Sequence, residues 1–155
     1  MLYGLPTRRF LTFLNQKTMS TRQILMADDD ADDRFLVQAA FEDNEIPNQI
    51  IFLEDGEQLI DYLGSNVQGS SPLILLDLNM PRRDGREVLK AVRSNKSWNA
   101  IPIIIFSTSN APDDINSAYE LGANCYIIKP SSYEGLREAV LNIQKFWLNT
   151  ATLPA

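Results

Sequence analysis

From Gln23 onward, short apolar runs alternate with segments whose apolar residues recur at helical intervals. The runs are Ile24-Leu25-Met26, Gln49-Ile50-Ile51-Phe52, Leu73-Ile74-Leu75-Leu76, Ile103-Ile104-Ile105-Phe106 and Tyr126-Ile127-Ile128. They are short, rich in β-branched residues and apolar without alternation. That is the signature of strands covered on both faces, and so of a parallel sheet. Helix starts lie between them: Asp55 with Gln58, Asp84 with Glu87 and Ser131 with Glu134 each have capping-box spacing. Helical periodicity then picks out Leu36, Ala39 and Ala40; Leu59, Ile60 and Leu63; and Val88, Leu89 and Val92. Further on it picks out Ile115, Ala118 and Tyr119, then Leu136, Val140, Ile143 and Trp147, with Gly122 as a left-handed helix stop. Strands alternating with helices predict βα units in an α/β, doubly wound fold.

The pattern defines one domain over 23–149, preceded by an extension over 1–22 and followed by a tail over 150–155. A chain of 155 residues suits that organisation. No apolar run approaches the roughly 18 residues of a membrane span. Met1 to Lys17 carries Arg8-Arg9 ahead of Phe10, Leu11, Phe13 and Leu14, but Thr12 interrupts the stretch and no small-residue cleavage site follows. The segment reads either as a frayed extension or as sequence ahead of a true start at Met19, with a basic aromatic docking arm as the sharper alternative. The chain is expected in the cytoplasm.

Composition narrows the chemistry. The net charge of −6 disfavours direct contact with nucleic-acid backbones. One cysteine, Cys125, permits no intrachain disulfide and reads as a small buried hydrophobe. The chain has no histidine, which removes Ser-His-Asp and Cys-His catalysis, phosphohistidine carriage and most zinc chemistry. Carboxylates, hydroxyls and lysine remain.

Ligands of open α/β sheets sit beyond the carboxyl ends of the strands. The first run is followed by Asp28-Asp29-Asp30, the third by Asp77, the fourth by Ser107-Thr108 and the fifth by Lys129-Pro130. One of the three consecutive acids is expected to cap the first helix. The others, with Asp77, crowd like charges unless a cation joins them. A hard divalent ion fits, and Mg²⁺ fits best, because it is content with one or two carboxylates, a carbonyl and waters. With it the set has the parts of a phosphoryl-transfer site: a carboxylate nucleophile, a metal, a lysine and a hydroxyl.

Together, Ile24-Leu25-Met26-Ala27-Asp28-Asp29-Asp30, Leu75-Leu76-Asp77-Leu78-Asn79-Met80-Pro81, Asp84-Gly85, Ser107-Thr108, Gly122-Ala123 and Tyr126-Ile127-Ile128-Lys129-Pro130 resemble the receiver domain of bacterial response regulators, in family order over about 23–147. The resemblance implies a flavodoxin-like, five-stranded parallel sheet in the order 2-1-3-4-5. It implies Asp77 as phosphoacceptor, Asp29 as direct Mg²⁺ ligand, and Asp28 as the acid acting on metal-bound water, with a one-residue ambiguity from the triple Asp. Asn79 would supply a backbone carbonyl to the metal. Ser107 would be the switch hydroxyl, Tyr126 the switch aromatic, and Lys129 the lysine on the phosphoryl oxygens. The Lys129–Pro130 bond would be cis. The implied partners are a histidine kinase or phosphotransfer protein and a downstream protein; a self-contact making a dimer is the alternative use of the output surface, and the lack of a long apolar run argues for no membrane contact. The ending Phe146-Trp147-Leu148 with Leu153-Pro154 resembles single-domain receivers paired with phytochrome-type kinases. With only Asn149 to Ala155 after the last helix, output is expected through a surface.

Three other readings compete. A haloacid-dehalogenase-type phosphatase has its nucleophile in a first-strand Asp-x-Asp pair, whereas here the acidic cluster comes first and Leu78-Asn79 follows Asp77. A flavin-binding relative needs a hydroxyl- and glycine-rich first loop, where Asp28-Asp29-Asp30 would repel phosphate. A receiver that no longer takes phosphate would have lost site residues that this chain retains. Tyr126 as plain packing, Ser107 as a helix cap, and Arg82-Arg83 as an exposed turn pair are the bland alternatives for single positions.

Overall fold

The computed structural model describes residues 22–66 and 71–155. The N-terminal segment with Arg8-Arg9 and Met19 lies outside them. The elements are β1 (Ile24–Ala27), α1 (Ala31–Asp43), β2 (Ile50–Leu53), α2 (Gly56–Asn66) and β3 (Leu73–Leu76), then α3 (Gly85–Ser94), β4 (Ile103–Ser107), α4 (Pro112–Glu120), β5 (Cys125–Ile128) and α5 (Tyr133–Ile143). The chain continues from α5 into a wider π-helical turn, Gln144–Thr150. All strand pairs are parallel, in the order β2-β1-β3-β4-β5.

Alternation along each strand sorts the core into two layers. Leu25, Ile74, Leu76, Ile103 and Ile105 pack with Leu59, Val88, Val92 and Ala118 of α2, α3 and α4. Ile24, Met26, Leu73, Leu75, Ile104 and Phe106 pack with Val37, Phe41, Leu136 and Val140 of α1 and α5. Only the three central strands are buried along their whole length; β2 and β5 are sheet edges and remain partly open.

Several local expectations shift. On α1 the core positions are Val37, Ala40 and Phe41, while Leu36 and Phe35 face outward. Tyr119 is exposed, Ala118 alone of its helix is buried, and Trp147 is half-buried beside an exposed Phe146 that meets its ring edge-on. The Asp84–Glu87 capping box is complete. At α5 the cap is Ser132 rather than Ser131, accepting from the Gly135 N–H. A Cβ at residue 135 would lie 2.9 Å from the Pro130 ring, so the first turn of α5 packs this closely on Pro130 only with glycine there. At α2, Asp55 accepts from the Gln58 N–H, while the Gln58 side chain accepts from the Glu54 N–H rather than that of Asp55. Gly122 has φ +101°, and bonds from Gly122 N to Tyr119 O and from Ala123 N to Ala118 O complete a Schellman stop.

Candidate functional site

Register sets the site. Ala27 pairs with Leu76, so the residues that follow, Asp28 and Asp77, leave adjacent central strands side by side. The Asp77 N–H donates to the Ala27 carbonyl at 3.0 Å, and the Asp28 N–H to that of Leu53 at 3.0 Å. On the other side Ser107 pairs with Ile128, and the Lys129 N–H donates to the Ser107 carbonyl at 2.8 Å. Four short strands thus deliver two acids, a hydroxyl and an amine to the carboxyl end of the sheet.

The triple Asp divides its labour. Asp30 is the N-cap of α1, its carboxylate accepting from the N–H groups of Asp32 and Asp33. Asp28 is buried and Asp29 exposed. One carboxylate oxygen from each of Asp28, Asp29 and Asp77 lies within 4.8 Å of the others. Burial pushes the Asp28 and Asp77 carboxyls above the ordinary carboxylate range, against the pull of Lys129. For Asp77 the charges of Asp28 and Asp29 add to the push. Clustered hard oxygen donors that are costly to ionise together form the environment in which a divalent cation is held.

Lys129 is the counter-charge. Its Nζ donates to Asp28 Oδ2 at 2.5 Å and Asp33 Oδ2 at 2.8 Å, and stands 3.7 Å from Asp77 Oδ2. Burial alone would depress the amine, but the bonds to Asp28 and Asp33 outweigh it and hold the ammonium above its ordinary value. The Phe106 ring lies beneath it, 6.0 Å from Nζ to centroid. The lysine reaches these partners through a trans Lys129–Pro130 bond, since the described residues contain no cis peptide. The cis geometry implied by the resemblance is therefore absent.

The remaining predicted residues surround this group. Asn79 lies two residues beyond Asp77, and its N–H donates to Asp77 Oδ1 at 3.4 Å. Gly85 closes the loop behind them: a Cβ there would meet the Asp77 carbonyl at 2.3 Å. Ser107 is fully buried, and its Oγ accepts from the Ser109 N–H at 3.3 Å, not from a residue of α4. Tyr126 is half-buried, and its hydroxyl donates to the Ser109 carbonyl at 2.9 Å. Both bonds end on Ser109 of the β4–α4 loop, so Ser107 and Tyr126 are tied to one segment.

Three contacts were not legible from motif spacing. Asp33 reads as one more first-turn acid, yet it faces the lysine; its place one turn into the helix that opens from the acidic strand end was the available signal. Arg34 donates to the Asp28 carbonyl at 2.8 Å. Arg82 is more than a turn residue. From a left-handed backbone (φ +63°) its guanidinium bonds the buried Asp55 at 2.6 and 2.7 Å, fastening the loop that carries Asn79.

Comparison with known proteins gives a consistent picture. A family model described as "Response regulator receiver domain" matches residues 24–141. Response regulator Rcp1 of Synechocystis sp. is 37% identical over 146 residues, covering 92% of this chain and 99% of that protein. Among solved structures, the phosphorylated cyanobacterial phytochrome response regulator RcpA superposes with TM-score 0.80 at 39% identity, covering 88% of this chain and 100% of that one. The Mn²⁺-bound form of Rcp1 gives TM-score 0.76 at 39% identity, covering 86% and 99%.

Proposed function

The chain belongs to the response regulator receiver domain family, and from that premise we propose that Asp77 is the residue on which it accepts its phosphoryl group. As a receiver it is a phosphoacceptor of two-component signalling, a class whose members meet histidine kinases or phosphotransfer proteins and downstream partners. The observation that carries the assignment is the position of Asp77. Its carboxylate stands among the oxygens of Asp28 and Asp29, within 4.8 Å, and 3.7 Å from the Lys129 ammonium.

A divalent cation suits that oxygen cluster, and we assign Mg²⁺ to it: Asp29, Asp77 and the Asn79 carbonyl would hold the ion directly, and Asp28 would act on metal-bound water. When bound, Mg²⁺ supplies positive charge to the phosphoryl oxygens and to the crowded carboxylates. The chain's own residues do the rest. Asp77 presents a carboxylate oxygen to phosphorus, while the Asn79 N–H steadies its other oxygen. Lys129 supplies charge to the incoming phosphoryl oxygens, and Ser107 offers them a hydroxyl. Moving Ser107 breaks its bond to the Ser109 N–H, and the same loop holds the Tyr126 hydroxyl. Phosphorylation is thereby read out on the face formed by α4, β5 and α5, where Tyr119 and Ile128 are exposed.

In this reading a histidine kinase or phosphotransfer protein is the donor, the α4–β5–α5 face engages a downstream protein or a second copy, and the compartment is the cytoplasm. The protein acts on itself and has no separate substrate. Among the described residues no helix is long and apolar enough to cross a membrane. Intact-mass measurement after incubation with Mg²⁺ and a small acyl phosphate tests the assignment. The wild type should gain one phosphoryl group and Asp77→Asn should not; equal labelling of both would move the acceptor elsewhere.

A further inference from the structure

Lys129 is shared unequally among three carboxylates. Its Nζ is hydrogen-bonded to Asp28 at 2.5 Å and to Asp33 at 2.8 Å, but only ion-paired with Asp77 at 3.7 Å. The two bonded partners differ in how readily they can let go. The Asp28 side chain is 1% exposed, so losing the lysine would strand a buried charge. The Asp33 side chain is 33% exposed, so water can replace the lysine there. Asp33 is also rigidly mounted, its backbone N–H donating to the Asp30 cap at 3.3 Å in the first turn of α1.

We infer that Asp33 is a positioning residue that holds the Lys129 ammonium back from Asp77 in the resting protein and releases it when a phosphoryl group arrives. The inference rests on the assignment of Asp77 as acceptor. In the transfer, an Asp77 carboxylate oxygen forms a bond to phosphorus as the donor's bridging O–P bond breaks. A small acyl phosphate leaves as its carboxylate, and no proton moves. The phosphoryl group brings a charge of about −1.5 to −2 in front of Lys129. The ammonium then exchanges its bond to Asp33 for one to a phosphoryl oxygen, keeping its bond to buried Asp28. Asp33 stabilises the resting arrangement more than the transferring one, so it slows acceptance of the phosphoryl group.

Initial rates of phosphoprotein formation with Mg²⁺ and a small acyl phosphate, read by intact mass, test this. Asp33→Asn should label about fivefold faster than the wild type, equivalent to about 1 kcal/mol of barrier. Asp33→Glu, which restores the carboxylate, should return the rate to near the wild-type value. In a Lys129→Gln background the acceleration by Asp33→Asn should vanish, because the residue acts through the lysine. A wild type that labels normally while Asp33→Asn labels no faster would overturn the inference alone. So would an undiminished acceleration in the Lys129→Gln background, which would reduce Asp33 to simple repulsion of the anionic donor. A wild type that never labels would overturn the acceptor assignment and this inference with it.

Discussion

Replacing Asp77 with asparagine should stabilise the resting protein in the absence of divalent ions, even though it removes the centre of the site. Asn79 keeps an acceptor for its N–H, and the side-chain volume is conserved. What changes is charge. At an effective dielectric of about 20, an Asp28 oxygen within 4.8 Å repels Asp77 by about 3.5 kcal/mol, and Lys129 at 3.7 Å attracts it by about 4.5 kcal/mol. Exposed Asp29 adds repulsion of about 1 kcal/mol. These terms nearly cancel, leaving the burial of the carboxylate itself, about 1–2 kcal/mol, as the net penalty. The Asp77 carboxyl is raised above its unfolded value, so in the window between the two the native state binds more protons than the unfolded state. Its contribution to stability therefore falls as pH rises through that window and stays lost at neutral pH. Asp77→Asn should melt roughly 3–6 °C higher than the wild type at pH 7 in chelator, and the gain should vanish as pH drops below the ordinary carboxylate range. Mg²⁺ should raise the wild-type midpoint more than that of the variant. A variant less stable than the wild type at pH 7, or equal Mg²⁺ shifts in both, would refute the reasoning.

Three further outcomes follow from the packing. Arg82→Ala should cost about 1–2 kcal/mol in urea unfolding, since buried Asp55 loses its cation while Arg82 itself is largely exposed. Burial pushes the Asp55 carboxyl up, but the Gln58 N–H and Arg82 hold it below the ordinary range. Its stabilisation is thus present above that range and lost as pH falls through the lowered value, and the variant should show a shallower acid-side slope. Gly122→Ala should cost about 1–2 kcal/mol, because φ is +101° and the new Cβ would lie 2.9 Å from the Arg93 side chain, whose guanidinium ties α3 to the Gly122 carbonyl; an unchanged unfolding midpoint would contradict it. Beryllofluoride with Mg²⁺ should alter hydrogen exchange across α4, β5 and α5, and protection changes confined to the loops at Asp29 and Asp77 would sink the proposed role of Ser107 and Tyr126.

The parallel βα units and the convergence of Asp28, Asp77, Ser107 and Lys129 were legible because they depend on apolar runs and on the residues that end them, whereas the strand order came only from the resemblance to receiver domains. A parallel sheet gathers such linear punctuation at one end. The register Ala27 to Leu76 then makes neighbours of two acids nearly fifty positions apart in the chain. What spacing does not encode is which of several chemically equivalent side chains faces inward. Asp33 and Asp32 are adjacent first-turn acids, and only the rotation of α1 decides that the former meets the lysine. Helix rotation also accounts for Phe41 and Val37 taking the core places expected for Leu36 and Ala39. Arg82 was obscured for a different reason: its partner, Asp55, comes from another strand end, and a sequence shows no sign that a turn residue will adopt a left-handed backbone to reach it.

The destination of the phosphoryl group decides the role of Asp77. Treating the wild-type protein with Mg²⁺ and a small acyl phosphate, then reducing it with borohydride, converts an aspartyl phosphate to homoserine and leaves a permanent mark at the acceptor. Peptide sequencing by mass spectrometry should find homoserine at position 77, and at none of positions 28, 29, 30 and 33. Homoserine at any of those four positions, with Asp77 intact, would contradict the account.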